Sequence, residues 1–192
     1  MAKIGITDNV FAFVPITTVT ILGSHVQDRP NFMALGWLTR CNFKPPMIAI
    51  SVNKSNQSCI GILESGEFSV NVPTTDMVSI TDYTGLVSAK KTDKSNLFET
   101  FYGQLKRAPL IKECPINVEC RVAEKVELAT NFLFVGEVVG VHAEESVLTE
   151  GRPDPEKVYP FVLSMPDNRF WSLGECVGLA WHEGKSIKGN IR

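Results

Sequence analysis

The first half of the chain consists of short apolar stretches separated by polar turns, which is the pattern of β-structure. Residues 15–23 are dense in β-branched residues and predict a first strand. Residues 24–30 are polar and predict a loop, and residues 31–38 are apolar again and predict the hairpin partner strand. The proline pair at 45–46 predicts extended backbone that leads into a buried strand over residues 47–52.

Helices are predicted at three places between the strands. The polar stretch 53–58 ends a strand and offers capping residues for a short helix, which Gly66 terminates, with apolar positions at Cys59, Ile60, Ile62 and Leu63. Residues 68–72 alternate as a strand. A second helix is predicted over residues 76–83, and a helical turn over residues 97–102 follows a Lys-rich polar segment.

Long alternating stretches over residues 116–128 and 132–142 predict a β-hairpin that turns at 130–131. Short strands are predicted at 161–163 and 170–173, and the tail 185–192 is predicted to be mobile. Six or more strands with a few helices favour a mainly β fold, a barrel with inserted helices. No internal repeat is present, so a single domain over residues 1–192 is expected.

Composition narrows the class of protein. With 192 residues and 44% hydrophobic content, the chain is long enough for one self-sufficient core. Its 19 basic and 21 acidic residues give a net charge of -2, which argues against nucleic acid as a partner. The 5 cysteines form no CxxC pair, so we expect a reducing cytoplasm rather than a disulfide framework. The polar interruptions of the N-terminal stretch predict no membrane insertion.

Familiar catalytic motifs are absent from the sequence. It contains no GxGxxG, P-loop, HExxH or GxSxG element, and its 3 histidines are isolated. The residues that remain are better explained as turn, surface or core residues than as catalysts: Asp28, Asp76, Asp82, Asp93, Cys41 and His182. We therefore assign no catalytic residue and no metal ligand.

Two segments are better candidates for ligand binding. Gly36 lets a planar ligand approach the backbone, and Trp37 can wall the same pocket. From local sequence alone, a bend in the barrel is as good an explanation of Gly36 as a ligand contact is. Trp37 is more often an aromatic residue of the core than a contact for a cofactor. The turn 53–58 precedes a predicted helix, whose amide groups and dipole attract phosphate, although an ordinary capped turn has the same composition. A basic cluster in the segment 90–94 is compatible with a phosphate contact and with solvated surface.

The order of these motifs resembles the flavin reductase-like FMN-binding family, especially its flavoredoxin branch. The likeness runs from about residue 15 to residue 173 and is strongest in the Pro-Pro strand followed by EFSVNVP at 67–73. The other matching positions are Asn31, Ala34, Gly36, Trp37, Ser58, Asp93 and Lys94. Where the family often has a cysteine and a later glycine, this chain has Thr84 and Ala89.

The resemblance implies an FMN-binding split β-barrel of Greek-key type that forms a homodimer and holds FMN noncovalently. It places the isoalloxazine ring against residues of the segment 31–37, namely Asn31, Ala34, Leu35, Gly36 and Trp37. It places the phosphate against Asn53, Lys54, Ser58 and Lys94, and it adds Ser88 and Phe170 to the cofactor site.

The function that follows is flavin redox chemistry, in which the cofactor does the hard chemistry and no acid or base residue is required. Our main hypothesis is electron transfer from a reduced donor, NAD(P)H or a redox protein, through FMN to an acceptor. Two alternatives remain open at this level: a protein that only binds or carries FMN, and a flavin reductase that releases reduced flavin to a partner monooxygenase.

Overall fold

The computed structural model describes residues 17–165 and 167–187. The chain begins with β1 (Thr17–Thr18) and continues into a hairpin of β2 (Thr20–Val26) and β3 (Arg29–Leu35). Positions 15 and 16 of the predicted first strand lie outside the described residues. The connection is a two-residue turn at Gln27 and Asp28, which have φ of 50° and 62°. Such tight turns match the twist of the strands they join. Because β2 continues to Val26 and β3 begins at Arg29, the predicted loop over residues 24–30 is wrong except at its two central residues.

The predicted strand over residues 31–38 is interrupted at Gly36 and Trp37. β3 ends at Leu35, and β4 (Leu38–Asn42) starts a second hairpin with β5 (Met47–Asn53). The proline pair 45–46 lies in the turn of this hairpin, where the peptide bond between Lys44 and Pro45 is cis. The expectation of an extended lead-in at these prolines was therefore wrong, whereas the buried strand after them is confirmed.

The first two helices flank the next strand. α1 (Gln57–Ser65) ends at Gly66, which has φ of 67° in the left-handed region that glycine tolerates. β6 (Glu67–Val72) follows, and a 3₁₀ turn (Thr75–Met77) leads into α2 (Val78–Leu86). The structure confirms a helix at each of these two predicted positions.

The helical turn predicted over residues 97–102 is wrong. This segment contains β7 (Thr100–Phe101), which pairs with β8 (Leu110–Ile111). The rings of Phe98 and Phe32 meet edge to face with centroids 5.2 Å apart. Packing against the core and strand pairing override the weak local preference for a helix here.

The second half is dominated by the predicted long hairpin of β9 (Ile116–Glu127) and β10 (Asn131–Ala143). Short elements follow: a 3₁₀ turn (Glu145–Val147), β11 (Leu148–Thr149), β12 (Arg152–Pro153), α3 (Pro155–Val158), β13 (Phe161–Ser164), β14 (Arg169–Ser172) and a 3₁₀ turn (Glu183–Ser186). The two late strands are confirmed. Residues 188–192 of the predicted mobile tail lie outside the described part of the chain.

Within the described residues, the main sheet has seven strands in the order β3-β2-β6-β9-β10-β5-β4. Its edge strands, β3 and β4, are consecutive in the chain and are joined only by Gly36 and Trp37. Seven strands laid flat would separate the edges by about 29 Å, because neighbouring strands lie about 4.8 Å apart. Two connecting residues span at most about 11 Å. The sheet must therefore curl until its edges nearly meet, and this leaves an open seam at Gly36 and Trp37.

The main hydrophobic core fills the inside of this curl. One cluster of buried side chains combines residues of six strands and α1, namely Leu22, Leu35, Ile50, Val52, Cys59, Ile62, Phe68, Val70, Cys120 and Phe134. Leu35 and Ile50 come from the two sides of the seam, so packing across the interior holds the curl. α1 lies against β2 so closely that a Cβ atom on Gly61 would stand 1.9 Å from the carbonyl oxygen of His25.

Candidate functional site

A cavity of about 370 Å³ opens at the seam of the curled sheet. Its lining comes from β3 and the seam, the end of β5, the start of α1, the end of α2 and the loop after it. Most of the residues predicted from the sequence lie here: Asn31, Ala34, Leu35, Gly36, Trp37, Asn53, Ser58, Ser88 and Lys94. The structure thus brings together segments that are far apart in the chain.

A buried amide forms part of the cavity lining. Asn31 is 3% exposed, and its Nδ2 donates a hydrogen bond of 2.8 Å to Oγ of Ser58. Its Oδ1 is buried and has no hydrogen-bond partner within the described residues. A buried polar atom without a partner costs about 1–3 kcal/mol. A ligand that donates a hydrogen bond to this oxygen would remove that cost.

The N-terminus of α1 also lies at the cavity, which Asn56, Gln57 and Ser58 line. The N-cap residue Asn56 makes no side-chain capping bond, and its Nδ2 donates to Sδ of Met33 at 3.2 Å instead. The first turn of the helix carries no acidic residue. The amide groups and the positive end of the helix dipole are therefore suited to an anion.

Lys94 brings a buried positive charge to the same cavity. Lys94 is only 4% exposed. At the end of α2, its Nζ donates hydrogen bonds to the carbonyl oxygen of Thr84 at 3.2 Å and to that of Val87 at 3.3 Å. Burial lowers the pKa of Lys94 from 10.5 to about 8. Within residues 17–165 and 167–187 it has no ion pair with a carboxylate. An anionic ligand would supply the missing countercharge.

Small residues shape other parts of the cavity wall. A Cβ atom on Gly85 would stand 3.2 Å from Cβ of Ala34, and one on Gly36 would stand 3.2 Å from Oγ1 of Thr17. Larger side chains at these glycines would crowd these neighbours. Trp37, which is 49% exposed, lies next to Gly36 at the seam. Ala34, Gly36 and Gly85 carry little or no side chain, so they take little space from the cavity.

Two of the predicted site residues lie outside this cavity lining. Lys54 forms an ion pair of 2.7 Å with Glu127 of β9, and its ammonium stands 5.3 Å from the centre of the Phe132 ring. Phe170 packs edge to face on Phe161, with ring centroids 5.4 Å apart. The ion pair on the hairpin gives Lys54 a different partner from the one that sequence reasoning proposed.

The two exposed lysines of the basic cluster, Lys90 and Lys91, line a neighbouring depression of about 230 Å³. It shares Asn31, Ala89 and Lys94 with the main cavity. Of the 3 lysines in the segment 90–94, Lys94 alone lines the main cavity.

Sequence reasoning missed several lining residues. Met33 and Ser51 lie on predicted strands. The alternation of side chains along a strand was the only signal in the sequence for which face these two residues occupy. Asn56 and Gln57 lie within the polar turn 53–58, but neither was predicted as a binding residue. Gly85 has no local signature, because its contact with Ala34 depends on how α2 packs on β3.

The described residues contain no cluster of three or more His, Cys, Asp or Glu side chains that could hold a metal ion. Within the same part of the chain, no helix is long and apolar enough to cross a bilayer. Asp28 pairs with Arg107, and Asp93 pairs with Arg29 at 2.7 Å. These two aspartates therefore have surface ion-pair partners.

Comparison with known proteins identifies the family. The model of the flavin reductase like domain matches residues 16–164. The chain belongs to the flavin reductase-like family. An uncharacterised protein of Archaeoglobus fulgidus is 32% identical over 151 residues, which cover 78% of this chain and 82% of that protein. The uncharacterised protein YddH of Escherichia coli is 33% identical over 143 residues, covering 72% and 75% respectively.

Solved structures place the chain in the flavoredoxin branch. Flavoredoxin from Methanosarcina acetivorans is 51% identical, with a TM-score of 0.93 over 97% of this chain and 100% of that one. Flavoredoxin of Desulfovibrio vulgaris (Miyazaki F) is 29% identical, with a TM-score of 0.85 over 96% and 99%. The fold is the mainly β split barrel of flavin reductases, and the main sheet is not closed. Family membership supports a flavin as the cofactor and a role in flavin redox chemistry.

Proposed function

We propose that this flavin reductase-like chain binds FMN noncovalently in the seam cavity and passes electrons from a reduced donor through it to an acceptor. The observation that carries the proposal is Lys94, a buried ammonium without a carboxylate partner in the described structure, which lines the same cavity as the N-terminus of α1. Both features attract a phosphate, which FMN has and riboflavin lacks.

The remaining cavity residues fit the other parts of FMN. The unpartnered Oδ1 of Asn31 is suited to accept a hydrogen bond from a hydroxyl, which the ribityl chain supplies. Ala34, Gly36 and Gly85 line the cavity and have small or no side chains, which suits the approach of a planar ring. A cavity of about 370 Å³ falls in the usual size range of small-molecule sites.

When bound, a flavin supplies one- and two-electron redox chemistry, and the residues of the chain orient it and hold its charges. Lys94 and the α1 N-terminus would hold the phosphate, and the seam residues would carry the ring. Because the cofactor can exchange a hydride or electrons directly, the proposal needs no acid or base side chain. The donor is proposed to be NAD(P)H or a redox protein.

We further propose that the protein works as a homodimer in the cytoplasm. Several large apolar side chains after β13 are strongly exposed, with exposed fractions of 49% at Trp171, 100% at Val177, 63% at Leu179 and 94% at Trp181. Apolar surface of this kind is typical of contact regions between chains. The 5 cysteines are all unpaired, which suits a reducing compartment.

The test is flavin uptake and reduction by the purified protein. FMN is titrated into flavin-free protein, the complex is passed over a gel-filtration column, and NADH, NADPH or a reduced redox protein is added without oxygen. We expect FMN to bind, to co-elute and to bleach with at least one donor. No FMN uptake would refute the proposal. Bound flavin that no donor reduces would favour the carrier, and flavin lost on the column would favour the releasing reductase.

A further inference from the structure

A second cavity adjoins the proposed flavin site on the other side of the seam. It measures about 430 Å³ and shares Gly36, Trp37 and Ser51 with the first cavity. The rest of its wall comes from β1, β4, β5, β10, β13 and the residue after β13, namely Thr17, Leu38, Thr39, Ala49, Leu133, Leu163 and Met165. Whatever occupies it would lie next to the ligand of the first cavity.

The two cavities differ in chemistry. The first contains Lys94 and the N-terminus of α1, both suited to an anion. None of the described residues that line the second cavity is ionisable, and their only polar side chains other than the Trp37 indole are the hydroxyls of Thr17, Thr39 and Ser51. A charged group moved into such surroundings loses its hydration without gaining a countercharge. The lining therefore selects against anions.

We propose that this second cavity binds a neutral, ring-sized organic molecule beside the flavin, as the small-molecule partner of the redox site. Apolar walls supply the binding surface, and the three hydroxyls can bind a carbonyl or hydroxyl group of the ligand. The described part of this lining offers no cation to the pyrophosphate of a dinucleotide. The assignment of the ligand as a redox partner rests on the proposed function, whereas its neutral character rests on the cavity itself.

Acetophenone and benzoate provide a matched pair of probes, because they share a planar shape and differ by one negative charge. Binding of each is measured by calorimetry on the full chain, with and without FMN, and by the shift of the flavin absorption spectrum. We expect acetophenone to bind at least about tenfold more tightly than benzoate. It should also shift the flavin spectrum, because the two cavities share a wall.

Two variants with the same substitution locate the probe. Thr39 lines the cavity and is exposed on the edge strand β4, so Thr39→Trp fills the space with little risk to the core. Thr18 follows the lining residue Thr17 on β1, is exposed, and does not line the cavity, so Thr18→Trp is the control. We expect Thr39→Trp to weaken acetophenone binding at least about tenfold and to leave FMN affinity within about twofold. Thr18→Trp should change neither.

Equal binding of the two probes to the FMN-loaded protein, no binding of either, or acetophenone binding that Thr39→Trp does not weaken would each overturn the proposal. The FMN titration separates this failure from failure of the proposed function. If FMN does not bind, the flavin proposal falls, and the effect of Thr39→Trp on acetophenone binding to flavin-free protein still tests the cavity. If FMN binds and acetophenone does not, the second cavity alone loses its assigned ligand.

Discussion

Replacement of Lys94 by alanine should weaken FMN binding while leaving riboflavin binding nearly unchanged. Lys94 is 4% exposed, and among the described residues its ammonium has only the carbonyl oxygens of Thr84 and Val87 as hydrogen-bond partners, so a phosphate would be its countercharge. A hydrogen bond between charged groups contributes about 1.5–3 kcal/mol, which corresponds to roughly tenfold to 150-fold in affinity. Lys91→Ala, at an exposed lysine of the same loop, is the control and should stay within about twofold.

The pH dependence of binding gives a second readout of the same group. Burial lowers the pKa of Lys94 to about 8 in the flavin-free protein, and a bound phosphate would raise it again. Binding then takes up a proton between the two pKa values, so FMN affinity is highest below about pH 8 and falls as the pH rises above it. Riboflavin should lack this dependence. Lys94→Arg should abolish it, because a guanidinium stays charged throughout.

Fluorescence titration of FMN and riboflavin between about pH 6.5 and 9.5 measures both effects, since the phosphate remains largely dianionic in this window. Unchanged FMN affinity in Lys94→Ala would refute the phosphate assignment. An equal loss for FMN and riboflavin would also contradict it, because that result indicates a distorted cavity rather than a lost charge contact.

Three further predictions concern packing and buried charge. Gly61→Ala should lower the free energy of unfolding by about 1–3 kcal/mol in urea denaturation, because its Cβ would stand 1.9 Å from a carbonyl oxygen of β2. Gly174→Ala should be neutral, because a Cβ there would meet no atom of the described residues within 4 Å. His142→Ala should cost about 1–3 kcal/mol at pH 7, because the buried carboxylate of Glu119 loses a hydrogen bond of 2.8 Å. Desolvation raises the pKa of Glu119, but hydrogen bonds from His142 and two backbone amides outweigh it and hold that pKa below 4.5. The stabilisation by the ionised carboxylate is therefore present above pH 4.5 and is lost as the pH falls further. Equal acid sensitivity of the wild type and the His142→Ala variant would contradict the pairing. Gly85→Val should weaken FMN and riboflavin by the same factor, and a loss confined to FMN would show that Gly85 lies by the phosphate instead.

Local sequence patterns predicted most of the regular elements. Alternation of apolar and polar residues is a property of the strand itself, which is why β9 and β10 were predicted close to their observed bounds. Gly66 ends α1 in the left-handed conformation for an equally local reason. The motif order over residues 31–94 also identified the family correctly.

The wrong predictions concern segments whose secondary structure depends on contacts with residues far away in the sequence. Residues 24–26 look like a polar loop, yet they extend β2, and Ser24 is completely buried next to Asn31. The segment 97–102 contains β7 because β8 pairs with it and Phe98 packs on Phe32. Neither pairing leaves a signal in the residues of one segment alone.

Gly36 and Trp37 also show the difference between what local sequence predicts and what tertiary contacts decide. The sequence alone left a bend and a ligand contact equally open at Gly36. The structure shows a break between β3 and β4, and the cavity lies at that break. The position of the break follows from the strand order, because these two residues join the edges of the curled sheet.

The two lysines proposed for the phosphate show what the sequence determined and what only the tertiary structure decided. The sequence placed Lys54 in a polar turn beside a helix and Lys94 in a basic loop, and both placements hold. Tertiary packing gave Lys54 the carboxylate of Glu127 as its partner and buried Lys94 against the end of α2. Backbone preferences act over a few residues and can be predicted from them, whereas the partner of a charge depends on which segments the fold brings within a few ångströms.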